Sequence, residues 1–300
     1  MNAIGAPVTF RSNVTRIDSR MMERPMHTAV RRAIAAMHER YYEPITLTEL
    51  AAEVFVSPFH FSRIFAKATG VTPGRYLTAV RMFEAKRLLL TSSLTVSDIV
   101  CTVGYSSVGT FTSRFTRAVG MTPSQYREPQ VNDLLVAVAP HFQRLPSLEA
   151  LREAGRGCAG KPRGHASITA RIDLPGDLAP GNLLVGVFAE KIPQCGPVSF
   201  TGLQRTPSAT VTLENVPPGR WLVLAAAEHP APGGGTTLSF GSLRQSVTIT
   251  GDESVPVRVR THALQPIDPP IAITLAGRPQ ELTSPGASRA IAPRRLAVAA

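Results

Sequence analysis

The amino-acid sequence predicts a multidomain chain, all-α in its first half and an all-β antiparallel sandwich in its second. Three observations predict it. Between residues 27 and 128, apolar side chains recur every three or four positions and Ser, Thr and Pro mark repeated helix starts. Between 165 and 276, the segments SITARI, LLVGVFA, ATVTL, RWLVLAA, SVTIT, VPVRV and IAITL are short and rich in Val, Ile, Thr and Leu. Gly, Pro and Asn clusters separate them without intervening helices, as in an antiparallel sandwich. The third observation is length: 300 residues exceed the roughly 100 to 200 that one core usually serves.

Residues 1–26 lack sustained periodicity and read as a flexible leader carrying Arg11, Arg16, Arg20 and Arg24. From 26 to 42, Val30, Ile34, Met37 and Tyr41 form one apolar stripe, a helix that Pro44 ends. Thr46 or Thr48 caps a short helix through Val54. Ser57-Pro58 opens the next, which stops at Gly70, and Thr72-Pro73 opens a longer one to about Thr91. Thr95 and Asp98 start a short helix to Thr102, and Gly104-Tyr105 turns into a helix over 106–119. Gly120 closes it, and Thr122-Pro123 begins a last helix ending near Arg127. Residues 129–164 read as a linker with helical pieces in VNDLLVAVAPHF and SLEALREAG, and residues 277–300 as a disordered tail.

The net charge of +11 is unevenly spread. Residues 57–127 carry nine basic residues against two acidic ones, which directs an acidic partner to that segment. The same segment is repetitive. TLTELAAEVFVSPFHFSRIFAKATGVTPGRYL and TVSDIVCTVGYSSVGTFTSRFTRAVGMTPSQYR share one layout, with Phe61, Phe65 and Gly70 matched 50 residues later by Phe111, Phe115 and Gly120. Each is a short helix, a tight turn and a longer helix with an aromatic inner face, which is a helix-turn-helix. In such a unit the second helix turns its small, polar or basic face toward a DNA groove. Phe59, His60, Ser62, Arg63 and Lys67 form that face in the first unit. Ser107, Val108, Gly109, Thr110, Thr112 and Ser113 form it in the second, with Arg114 and Arg117 beside them. The helix between the units spans about 28 Å at 1.5 Å per residue, close to the roughly 34 Å between successive major-groove faces.

On these residues, and on the intervening RMFEAKRLLL, the segment 27–127 resembles the DNA-binding domain of the AraC/XylS family of bacterial regulators. The resemblance implies sequence-specific binding to double-stranded DNA. It places base-reading positions on Phe59, Ser62, Arg63, Val108, Gly109, Thr110, Thr112 and Ser113. Many members carry Arg where Ser113 stands, whereas this chain has Arg114 instead, so the first unit is expected to supply most direct readout through Arg63. Lys67, Arg114 and Arg117 are the expected phosphate contacts.

In the second half, ATVTLENVPPGRWLVLAAAEHP resembles a strand-turn-strand unit of transthyretin-like and carboxypeptidase-regulatory-like sandwiches. Alternation places Trp221, Val223 and Ala225 on one inner face. A ligand sensor, a self-association surface, a platform for a protein partner and a structural appendage all remain open as its role, and RNA polymerase is a further candidate partner. Cys101, Cys158 and Cys195 have no paired spacing, so neither a disulfide framework nor a metal site is expected, and Cys101 reads as core. The absence of G-x-S-x-G, H-E-x-x-H and GK[ST] stretches argues against an enzyme, and no cofactor is called for. With no secretory signal and no membrane span read from the sequence, the expected compartment is the cytoplasm.

Overall fold

The computed structural model describes residues 19–157 and 164–276. The expectations for residues 1–18, Cys158 and the tail from 277 lie outside the described residues. The first half contains α1 (Ser19–Glu39), α2 (Leu47–Glu53), α3 (Pro58–Thr69), α4 (Pro73–Thr91), α5 (Val96–Thr102), α6 (Val108–Val119), α7 (Pro123–Tyr126) and α8 (Pro129–Asp133). Local chemistry sets their starts. The hydroxyls of Thr46, Ser57, Thr72, Thr95, Ser107 and Thr122 each accept the backbone N–H three residues on, satisfying a donor that the helix itself cannot. Gly70 and Gly120 end α3 and α6 at φ of 76° and 88°, a left-handed conformation that costs glycine little. α1 begins at Ser19, earlier than the apolar stripe suggested.

α4 is the spine of this half. Both helix-turn-helix units pack on it, and Tyr76, Leu77, Val80, Met82, Phe83 and Leu89 are buried on several of its faces. Phe61 and Phe65 join it in one core, and Phe111 and Phe115 in a second.

The second half contains β1 (Leu135–Ala139), β2 (Phe142–Arg144), α9 (Leu148–Gly157), β3 (Ala166–Asp173), β4 (Gly181–Phe188), β5 (Ser199–Thr206), β6 (Ser208–Val216), β7 (Gly219–Pro230), β8 (Thr236–Ser242), β9 (Val247–Ile249), β10 (Ser254–Arg260), β11 (His262–Ala263) and β12 (Ile271–Thr274). The strands form a three-stranded sheet β10-β3-β6, a six-stranded sheet ordered β11-β8-β7-β4-β5 with β9 on β7, and a second three-stranded sheet β12-β1-β2. Side-chain alternation shows how they stack. Leu183, Val185, Trp221, Val223 and Ala225 face β3 and β6 in one core, while Leu184, Leu222, Leu224 and Ala226 face Val136, Val138, Ile271 and Ile273 in another. The opposite faces of β1 and β12, through Leu135, Ala137, Ala139 and Ala272, meet Phe83 of α4. The central sheet is therefore buried on both faces.

Several expectations are corrected here. LVAVA is a strand and not a helix, because both its faces are buried and a continuous apolar run hides a period of two. IAITL leaves the sandwich to pair antiparallel with β1, Val136 opposite Ile273. The sheets are antiparallel except for β10 beside β3, whose register runs parallel from Ser254–Ser167 to Arg260–Asp173. β5 and β8 went unanticipated. Cys101 is exposed and so not core: on the seven-residue α5 the buried side chains are Ile99 and Val100.

Candidate nucleic-acid interface

In the first unit, Phe59, His60, Arg63 and Lys67 are exposed on α3 and Ser62 is half-buried, while Phe61, Ile64 and Phe65 face the core. The Arg63 guanidinium carbon stands 6.0 Å from the centre of the Phe59 ring, one helical turn away, a cation–π arrangement that steadies the guanidinium. In the second unit, Ser107, Val108, Gly109, Thr110, Ser113, Arg114 and Arg117 are exposed and Thr112 is half-buried. The Ser107 hydroxyl is occupied as the cap of α6, accepting the Thr110 N–H at 3.3 Å. Arg114 reaches the Tyr105 hydroxyl, whose pKa burial raises and the nearby arginines Arg81 and Arg114 pull back.

Several basic residues of this half are engaged in structural contacts around α4. Arg81 donates to the carbonyls of Tyr41 and Glu43 at 2.6 and 2.7 Å, and Arg127 holds the Leu89 and Leu94 carbonyls. Arg87 pairs with Glu84 and Arg75 with Glu190. Glu84 also meets His141 at 2.8 Å; burial pushes its carboxyl up, but hydrogen bonds from His141 and Arg87 hold it below its ordinary value. These contacts brace α4. Arg63, Lys67, Arg114 and Arg117, by contrast, have no carboxylate partner among the described residues, and all four lie on α3 or α6.

Two features were not anticipated. Phe55, in the turn between α2 and α3, has φ 58° and is 87 % exposed. The corresponding turn of the second unit holds Gly104 at φ 76°, where any Cβ would lie 2.6 Å from the Tyr42 carbonyl oxygen. The fold thus repeats a left-handed turn, but only its second copy demands glycine. The other feature is Lys86 of α4. It is fully buried, and its ammonium donates to the Gln194 carbonyl at 2.9 Å, the Gln194 side-chain oxygen at 3.0 Å and the Ala272 carbonyl at 2.6 Å. Burial pushes its pKa down to about 7, while three well-placed acceptors match the three donors of the charged form. Sequence gave no signal for it, since the acceptors lie more than a hundred residues away.

The model of a helix-turn-helix domain matches residues 50–129. These residues form an AraC-type helix-turn-helix domain. The AraC-type domain is similar to YobQ, described as an uncharacterized HTH-type transcriptional regulator of Bacillus subtilis, at 33% identity over 34% of this chain and 42% of the relative. It is likewise similar to the lactose operon transcription activator of Staphylococcus xylosus, at 33% identity over 33% of this chain and 35% of that protein. The chain therefore spans less than half the length of these curated relatives. Among solved structures, the DNA-binding domain of AdpA in complex with a target DNA is 31% identical over 34% of this chain and 89% of that one, with a TM-score of 0.30. Among the described residues, no helix is long and apolar enough to cross a membrane.

Proposed function

We infer that the protein is a sequence-specific transcription regulator, which lays α3 and α6 into successive major-groove faces on one side of duplex DNA. The observation that carries this reading is the placement of Arg63, Lys67, Arg114 and Arg117, exposed on the two repeated helices and without carboxylate partners among the described residues. A phosphate backbone supplies the missing negative charge by displacing counterions. The two units are unequal. α3 offers a guanidinium steadied by Phe59, suited to the paired acceptors of guanine. α6 offers Val108, Gly109 and Thr110, which suit methyl contacts and groove shape.

Selection of bound duplexes from a random pool tests this reading, and a motif spanning two half-sites about one helical turn apart is the expected result. Arg63→Ala is expected to weaken the selected site by about 1 to 3 kcal/mol and to relax preference at one base position; an unchanged motif would overturn its role. Lys67→Ala and Arg117→Ala are expected to weaken all sequences alike and to reduce the salt slope of binding by about one each.

On this reading the protein acts in the cytoplasm, at its promoter, and is not an enzyme. Among the described residues, the Ser–His side-chain pair His229–Ser239 supports that: His229 is fully buried, its Nε2 2.7 Å from Ser239 Oγ and its Nδ1 2.6 Å from the Ala179 carbonyl oxygen, so no substrate reaches it. We take residues 27–128 as the DNA-binding unit. The strands beyond serve regulation, with RNA polymerase, an effector or a second copy of the chain as the further partners to test.

A further inference from the structure

Arg63, Lys67 and Gly70 stand four and then three residues apart along α3 and its cap, a spacing that places them on one face. The third position of this row has no side chain of its own, because Gly70 takes the left-handed conformation that ends the helix. A cation reaches it from the other half of the chain. Lys191, in the loop between β4 and β5, lays its side chain against Gly70, so closely that a Cβ there would overlap the ammonium. The loop is fastened to α4 on both sides of Lys191. Glu190 pairs with Arg75 at 3.1 Å, and the Gln194 carbonyl accepts from Lys86 at 2.9 Å. The fold therefore delivers Lys191 to the end of α3.

A second cation accompanies it. Arg244 is exposed in the loop between β8 and β9. Burial lowers the Lys191 pKa, and the charge of Arg244 lowers it further, so the two side chains are neighbours. Among the described residues neither has a hydrogen bond or a carboxylate partner, and the nearest acid along the chain, Glu190, is engaged by Arg75. Like charges held together repel each other. The negative end of the α3 dipole favours Lys191 but leaves Arg244 without a partner. An anion shared by the two removes the repulsion, and a DNA strand following the Arg63–Lys67 face carries one at each phosphate.

We propose that Lys191 and Arg244 bind the DNA phosphate backbone beside the groove that α3 enters, so that the sheet-rich half forms part of the DNA-binding surface itself. This rests on the DNA-binding reading and requires no effector. In the full chain with the selected duplex, Lys191→Gln combined with Arg244→Gln is expected to reduce the salt slope of binding by about two, and either change alone by about one. Arg244→Lys, which keeps the charge, is expected to retain the slope of the unmodified protein. Hydroxyl-radical footprinting is expected to show backbone protection flanking the α3 half-site, lost in the double variant. A folded double variant with an unchanged slope or with that protection intact would overturn the proposal, as would an equal loss of slope in Arg244→Lys. If the double variant does not fold, the exposed Arg244→Gln decides alone: a slope lower by about one supports the contact, and an unchanged slope overturns it. Failure of the unmodified protein to select any duplex would instead overturn the DNA-binding reading.

Discussion

Lys86→Met is expected to lower the stability of the folded chain by about 2 to 4 kcal/mol. Below about pH 7, where the buried ammonium is charged, a hydrogen bond to it contributes roughly 1.5 to 3 kcal/mol, and methionine removes three of them while keeping the length of the side chain. Relief of the lysine's desolvation, several kcal/mol for a buried ion, offsets part of that loss. The pH dependence supplies an independent readout. With the folded-state pKa pushed down to about 7 and an ordinary value of 10.5 in the unfolded chain, the unfolded state binds more protons between those values. Stability should therefore rise with pH across that window, by up to about 1.4 kcal/mol per unit, and level off below it. Denaturant titrations at successive pH values check this, and Lys86→Met should flatten the slope. A slope retained in the variant would show that another group carries it.

Phe115→Ala should cost about 3 to 5 kcal/mol, the usual range for deleting a buried aromatic ring. Phe115 is fully buried, with ring centres of Phe111 and Tyr126 each 5.5 Å away and Tyr126 edge-on at 86°. It holds α6 against α7 and α4, so the cavity left behind loosens the second unit. Both the denaturation midpoint and affinity for the selected DNA are expected to fall, the affinity because an ordered α6 must be restored on binding. A loss under about 1 kcal/mol would mean that the helices collapse into the space and that Phe115 is not a keystone of the unit.

What was legible in the sequence was local. Caps such as Ser57 and Thr95 act on backbone groups three residues away, and the Phe61/Phe111 and Phe65/Phe115 correspondence is visible because each unit repeats its own inner face. The exposed set on α3 followed from the same periodicity. What was not legible depends on distant partners. Lys86 looks like any helical lysine until Gln194 and Ala272 arrive, 108 and 186 residues along the chain. LVAVA is apolar throughout because α4 and the central sheet cover its two sides, which erases the alternation that marks a half-exposed strand. β5, SFTGLQRT, is half-exposed and polar and carries a glycine, so it lacked the composition that identified its neighbours. Cys101 shows the limit on a short helix, where two buried positions do not define a stripe.

The pairing of β1 with β12 has a consequence for the nascent chain. Leu135 finds its partner only at Thr274, and at roughly 5 to 20 residues per second the ribosome needs on the order of ten seconds to make the intervening stretch. Through that interval the helical half can assemble, but β1 has one open edge and α4 carries a bare lysine where a carbonyl will later sit. A chain truncated before Ile271 would be left in that condition permanently. A stop codon or a proteolytic nick there would release helices with a sticky strand attached, a fragment primed to aggregate.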